Sequence, residues 1–124
     1  MDRAAVDAWM RGYFAAWISN DPAEVAALFT EDAVYQVGPF AEPWRGRDEI
    51  VRQWVSGRQD DIAHRHEVMV VDGDRAAVRW NVRATDPDSG VRTEMDGVLS
   101  LMFAPDGRCR EHREWFLRRE IPAG

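Results

Sequence analysis

The sequence predicts an α+β domain in which three N-terminal helices pack on a curved antiparallel sheet. Three observations predict it. Apolar residues recur with a helical period through the first half of the chain. From about His64 the period switches to two. The breaks between the later segments are short and rich in turn residues, which joins antiparallel neighbours. Helices must then bury one face of that sheet, giving a layered arrangement. A chain of 124 residues makes one domain, 1–124. It can bury roughly two-thirds of its unfolded surface without metal or disulfide staples.

In the first helix, Val6, Trp9, Met10, Tyr13, Phe14, Trp17 and Ile18 follow the i, i+3, i+4, i+7 pattern, with Asp2 as N-cap. It stops at Ser19-Asn20. A second, short helix starts with Asp21 as N-cap, Pro22 at N1 and Glu24 at N3, and carries Val25, Leu28 and Phe29 on one face. Ala33 to Val37 is β-branched and aromatic and reads as a strand. Residues 38–46 hold two Pro and two Gly in nine positions and read as a loop. Asp48 and Glu49 open a third helix, at the positive end of its dipole, and Ile50, Val51, Trp54 and Val55 form its apolar stripe. Val68–Val71, Ala76–Ala84, Val91–Phe103 and Arg108–Leu117 read as four strands. The alternation is cleanest in the second of these, with Val78, Trp80 and Val82 on one face and Arg79, Asn81 and Arg83 on the other.

Composition excludes several classes. Apolar residues make up 45% and charged residues 31%, which fits a globular chain and not a disordered one. All 16 basic residues are Arg, against 22 Asp and Glu, for a net charge of −6. An acidic chain with scattered arginines does not suit phosphate neutralisation, so no nucleic-acid partner is expected. The lack of Lys removes Schiff-base chemistry. No apolar run approaches the ~20 residues of a membrane span, and no secretory signal is visible, so a cytoplasmic protein with no membrane partner is expected. The single cysteine, Cys109, cannot pair within the chain and reads as a small buried group. Six tryptophans are more than a small core needs, and point to a core hollowed into a hydrophobic cavity.

The chain resembles the SnoaL-like branch of the NTF2-like superfamily, which also contains ketosteroid isomerase. The resemblance runs through Tyr13-Phe14-Ala15-Ala16-Trp17, Asp21-Pro22 and Ala27-Leu28-Phe29-Thr30-Glu31-Asp32-Ala33-Val34-Tyr35. It continues in Trp44-Arg45-Gly46-Arg47-Asp48-Glu49-Ile50, the segment from Val71 to Trp80, and Asp106-Gly107-Arg108. It implies an NTF2-like cone, commonly a homodimer through the outer face of the sheet, and activity without metal or cofactor. It also implies a polyketide cyclase-like use of a His and a carboxylate in the cavity. In ketosteroid isomerase-like members an oxyanion-donating Tyr sits where this chain has Tyr13, but the base position holds Val37 and the second acid position holds Leu99. These departures argue against that isomerase mechanism here.

His112 and Glu114, spaced i, i+2 on the last strand, are the candidate catalytic pair, sharing a face with Arg110 and Phe116. Alternatively they belong to a polar strip on the outer face. Tyr13 is either an oxyanion donor or a core tyrosine. Tyr35, Val37, Phe40, Trp44, Trp54, Trp80, Met95, Leu99 and Phe116 are expected to bind substrate, with Leu101 near them and Phe40, Glu42 and Trp44 on a lip or lid. His64 and His66 share a strand face and with His112 could hold a metal, or they are exposed histidines at a strand start; no metal is expected. Parity against Leu99 points Glu94 and Asp96 outward, and Asp32 and Asp48 read as caps. The expected function is cofactor-independent proton transfer, cyclase or isomerase type, on a hydrophobic carbonyl small molecule. The alternatives are a non-catalytic hydrophobic-ligand binder and a dimeric interaction module on the same fold.

Overall fold

The computed structural model describes residues 1–122. Helix α1 spans Arg3–Ser19, with the Asp2 side chain accepting from the Ala5 N–H and Asn20 closing it in the left-handed region at φ 54°. Helix α2, Pro22–Ala26, is one short turn capped by Asp21. Strand β1 is Phe29–Gln36 and β2 is Trp44–Arg45; helix α3 spans Arg47–Ser56. The long strands are β3 Asp60–Asp72, β4 Arg75–Thr85, β5 Arg92–Phe103 and β6 Cys109–Glu120. They form one curved, unclosed sheet in the order β2-β1-β6-β5-β4-β3.

Several expectations need correction. The second helix is short and a strand precedes α3, as expected, but Trp44–Arg45, read as part of a loop, form the two-residue strand β2. Phe29 starts β1 instead of extending α2, because the Cys109 N–H donates to the Leu28 carbonyl and draws this segment to the sheet. The sheet is also mixed, since β1 runs parallel to β6. These two strands are far apart in sequence, so no hairpin forces them antiparallel. Strand β3 begins eight residues earlier than its apolar run, at Asp60 instead of Val68. It is an edge strand whose early residues are polar. Its inward positions are filled by His64, stacked on Phe14 at 4.3 Å, and by His66, 2.7 Å from the Asp7 carboxylate.

One face of the sheet is covered. Val6, Met10 and Phe14 of α1, Ile50 of α3, and Val78, Leu99 and Phe103 of the sheet are essentially inaccessible. Each such side chain contributes roughly 1.5–3 kcal/mol by leaving water. Where β5 crosses β6, Gly97 lies opposite Phe116, and a Cβ on it would sit 2.0 Å from the Trp115 carbonyl oxygen. The missing side chain lets the two strands approach closely there.

A bulge sets which residues of β6 face inward. Phe103 pairs with Cys109 but Met102 pairs with Glu111, so Arg110 is the extra residue. Cys109 is therefore buried with Phe103, while Arg110 turns out to pair with Asp74 at 3.0 Å. This corrects the simple alternation that put Arg110 on the His112 and Glu114 face and Cys109 opposite. Beyond the bulge, His112, Glu114 and Phe116 point to the helix side and Trp115 and Leu117 point away.

Candidate functional site

Three elements bring hydroxyl and carboxyl groups to one point under the helices. The apolar stripe of α1 carries Tyr13 inward, the alternation of β1 carries Tyr35 inward, and the register of β6 after its bulge does the same for Glu114. The Tyr35 hydroxyl donates to Glu114 Oε1 at 2.6 Å. The Tyr13 hydroxyl lies 2.9 Å from the Tyr35 hydroxyl and 3.4 Å from the same Oε1. Among the described residues, Oε2 of Glu114 has no hydrogen-bond partner, and it is not one of the sealed, unpartnered atoms.

Glu114 is 6% exposed, and burial lifts its carboxyl from 4.5 to about 7, against the lowering effect of the two phenols. The phenols of Tyr13 and Tyr35 are pushed well above their ordinary range, first by burial and then by the neighbouring carboxylate. At neutral pH the cluster thus holds two un-ionised phenols and a carboxyl poised between its two forms.

Glu114 opens on a pocket of about 210 Å³ between α1, α3 and the sheet. Tyr13, Tyr35, Val37, Trp44, Trp54, Trp80, Met95 and Phe116 line it, all named from the sequence. Trp17, Asn20, Gln53, Gly57 and Gln59 line it too and were not foreseen as lining residues. Trp17 was legible in principle, one helical turn past Tyr13 on the same stripe. Asn20 was not, since it reaches the pocket only as the cap of α1, where its side chain donates to the Val55 carbonyl. Gln59 accepts from the Trp17 indole N–H at 2.9 Å and carries no apolar signal.

His112, expected to act with Glu114, lies behind the tyrosine pair. The ring is fully buried and does not line the pocket. It lies flat on Tyr35 with centroids 4.0 Å apart and stacks on Tyr13 at 5.3 Å. Burial lowers its pKa from 6.5 to about 3. Its Nδ1 is 3.9 Å from Glu114 Oε1, but with the imidazole neutral this contact is not an ion pair near neutral pH. Tyr13 and Tyr35 stand between it and the pocket. Tyr13 reaches the pocket, yet its hydroxyl is engaged with Tyr35 and Glu114 and is not a free oxyanion donor in this state.

Two expected substrate contacts are also corrected. Phe40 is fully exposed at the tip of a turn closed by the Ala41 N–H to the Gly38 carbonyl, and does not reach the pocket. Leu99 is completely buried in the core behind it, as is Leu101. Of the expected lip, Trp44 lines the pocket and stacks on Tyr35 at 4.9 Å, while Glu42 does not line it.

The three-histidine arrangement does not form, because His64 and His66 sit at the sheet edge against α1 while His112 lies deep in the core. Among the described residues, no three His, Cys, Asp or Glu side chains come close enough to share a metal. Glu94 and Asp96 point outward, as parity implies. Glu94 is held down to about 2 by hydrogen bonds from Asn81, Arg119 and Arg83, and Asp96 is lowered by Asn81 and Arg79. Neither is a proton carrier for the pocket.

Residues 10–112 match the SnoaL-like domain family. The chain belongs to that family. No curated protein sequence matches it. Among solved structures, this SnoaL-like domain is similar to SalBIII, described as an epoxide hydrolase/cyclase-like enzyme in pyran ring formation in polyether salinomycin. The TM-score is 0.78 at 17% identity, over 94% of this chain and 93% of that one. A ketosteroid isomerase-like protein from Erwinia carotovora atroseptica gives a TM-score of 0.71 at 22% identity, over 97% and 96%. A hexachlorocyclohexane dehydrochlorinase, LinA type 2, gives 0.78 at 10% identity, over 97% and 88%. At these identities the likeness establishes the fold alone. Among the described residues, no helix is long and apolar enough to cross a membrane.

Proposed function

We propose that this SnoaL-like domain is a cofactor-independent proton-transfer enzyme of cyclase or isomerase type, acting on a hydrophobic carbonyl compound in the pocket under α1. The observation that carries this reading is Glu114: a carboxyl in an aromatic pocket, fixed by two phenols through one oxygen and lifted to about 7. A general acid–base group works best when its pKa lies near the operating pH. Ionised Glu114 takes a proton from the carbon next to the carbonyl, and the C–H electron pair moves into the enolate. The proton then returns to another carbon in an isomerisation, or to the new alkoxide after ring closure. As Glu114 gains the proton its Oε1 accepts less strongly. The longer 3.4 Å contact from Tyr13 is the one that yields, freeing a donor for the enolate oxygen. His112 is a positioning residue in this scheme, holding Tyr35 by stacking.

The pocket volume of about 210 Å³ is below the ~300–1,000 Å³ of typical drug-sized sites, so a polycyclic substrate would project through the mouth. The test is turnover of a panel of hydrophobic ketones and enones by wild type and Glu114→Gln. The variant is expected to lose about 10²-fold or more. Unchanged turnover rejects the role of Glu114.

A second reading, a hydrophobic-ligand binder without catalysis, is favoured by one observation: the imidazole is sealed from the pocket, so a His–carboxylate pair is not on offer to a ligand. Ligand-induced change in tryptophan fluorescence without product formation supports this reading. As for assembly, Trp115 and Leu117 project from the outer sheet face, with Leu117 84% exposed, and support a homodimer through that face. Size measurement over a concentration series tests it.

A further inference from the structure

The pocket has a charge property that the proton-transfer reading leaves unused. Trp17, Trp44, Trp54, Trp80 and Phe116 present aromatic surface to it, and among the described residues Glu114 is its one lining carboxyl. The chain has 16 arginines, yet none lines the pocket. Both hydrogen bonds to Glu114 come from neutral phenols, and the nearby His112 ring is neutral. Ionised Glu114 is therefore a buried anion without a countercharge, in a space walled by aromatic rings. Aromatic faces attract cations, and a buried anion gains most from a partner of opposite charge. An anionic ligand would be repelled there, and a neutral one would leave the charge uncompensated.

We propose that this pocket is a binding site for a small organic ammonium ion, held on the tryptophan faces with the Glu114 carboxylate as its counter-ion. The inference uses the pocket but not the catalytic reading. The ammonium ion is bound and not converted, and it competes with any neutral substrate for the same carboxylate.

The experiment is calorimetric titration with choline and with 3,3-dimethylbutan-1-ol, its uncharged counterpart of the same shape, at pH 5.5 and 8.5. Across this window Glu114 is the titrating group of the site. Tyr13 of α1, Tyr35 of β1 and His112 of β6, which face it, keep their neutral forms. Trp54 of α3, Trp80 of β4, and Met95 and Leu99 of β5 carry no charge. At pH 8.5 choline is expected to bind at least about 10-fold more tightly than the alcohol, or about 1.4 kcal/mol. At pH 5.5, with Glu114 protonated, that preference is expected to fall by about 10-fold. Glu114→Gln, checked for folding by circular dichroism, is expected to bind both compounds alike at both pH values. If the variant does not fold, the wild-type pH series decides. Equal affinities at pH 8.5, a preference that does not change with pH, or no binding of choline overturns the proposal. Choline preference without turnover of any carbonyl compound upholds it while rejecting the catalytic reading.

Discussion

Replacing Glu114 with Gln removes the carboxyl that the pocket holds near neutrality, and the pH dependence of stability reads the consequence. In the folded chain Glu114 protonates at about 7 against an ordinary 4.5. Its folded pKa is raised, so its contribution is intact below about pH 4.5 and is lost as pH rises through 7. At roughly 1.4 kcal/mol per pH unit, the full loss is about 3 kcal/mol. His112 works in the opposite sense. Its folded pKa is lowered from 6.5 to about 3, so its contribution is complete above 6.5 and is lost as pH falls towards 3. Between pH 4.5 and 6.5 the unfolded chain carries ionised Glu114 and charged His112, while the folded chain carries both neutral. Each state then binds the same number of protons at these two groups, and their joint effect on wild-type stability is flat. In Glu114→Gln, His112 titrates alone, and the variant gains about 3 kcal/mol relative to wild type over that interval. Urea denaturation followed by tryptophan fluorescence at pH 4.5, 5.5, 6.5 and 8 measures the difference. A variant-minus-wild-type difference that stays constant within about 0.5 kcal/mol refutes the reasoning, because Glu114 would then titrate at its ordinary value.

Two further outcomes follow from the same geometry. Gly97→Ala places a Cβ 2.0 Å from the Trp115 carbonyl oxygen and 2.6 Å from the Phe116 Cα, both backbone atoms that cannot swing aside. The expected cost is about 3 kcal/mol, seen as a fall of about 10 °C or more in Tm, and an unchanged Tm contradicts the close approach of β5 and β6. Tyr35→Phe removes the 2.6 Å donor that favours ionised Glu114, so the carboxyl pKa should rise beyond about 7. The C=O infrared band of the protonated acid, followed with pH, shows this, and an unchanged or lower midpoint counts against it.

The sequence made the helical scaffold legible because local physics decides it. Asp2, the Val6 to Trp17 stripe, and the Asp21-Pro22 start act within a turn or two of the chain, and α1 and α2 begin where they say. Strand β4 was legible because one of its faces packs under the helices and the other faces solvent, so apolar and polar residues alternate from Val78 to Arg83. What escaped depends on contacts remote in sequence. The bulge at Arg110 is fixed by pairing with β5, and it breaks the alternation by which Arg110 and Cys109 were assigned to faces. The early half of β3 uses histidines where apolar residues would normally signal a strand. At the site, parity put His112 and Glu114 on one face, but parity carries no depth. His112 lies against Tyr13 and Tyr35, while Glu114 is one step nearer the mouth, and that step separates a sealed ring from a pocket carboxyl.

The central claim is that Glu114 exchanges its proton near neutral pH at the wall of an aromatic pocket. A ¹³C NMR titration of the glutamate side-chain carboxyl carbons, with Glu114 assigned by its loss in Glu114→Gln, measures it directly. The account predicts a midpoint at about 7 for that one resonance. A midpoint at the ordinary 4.5 contradicts it.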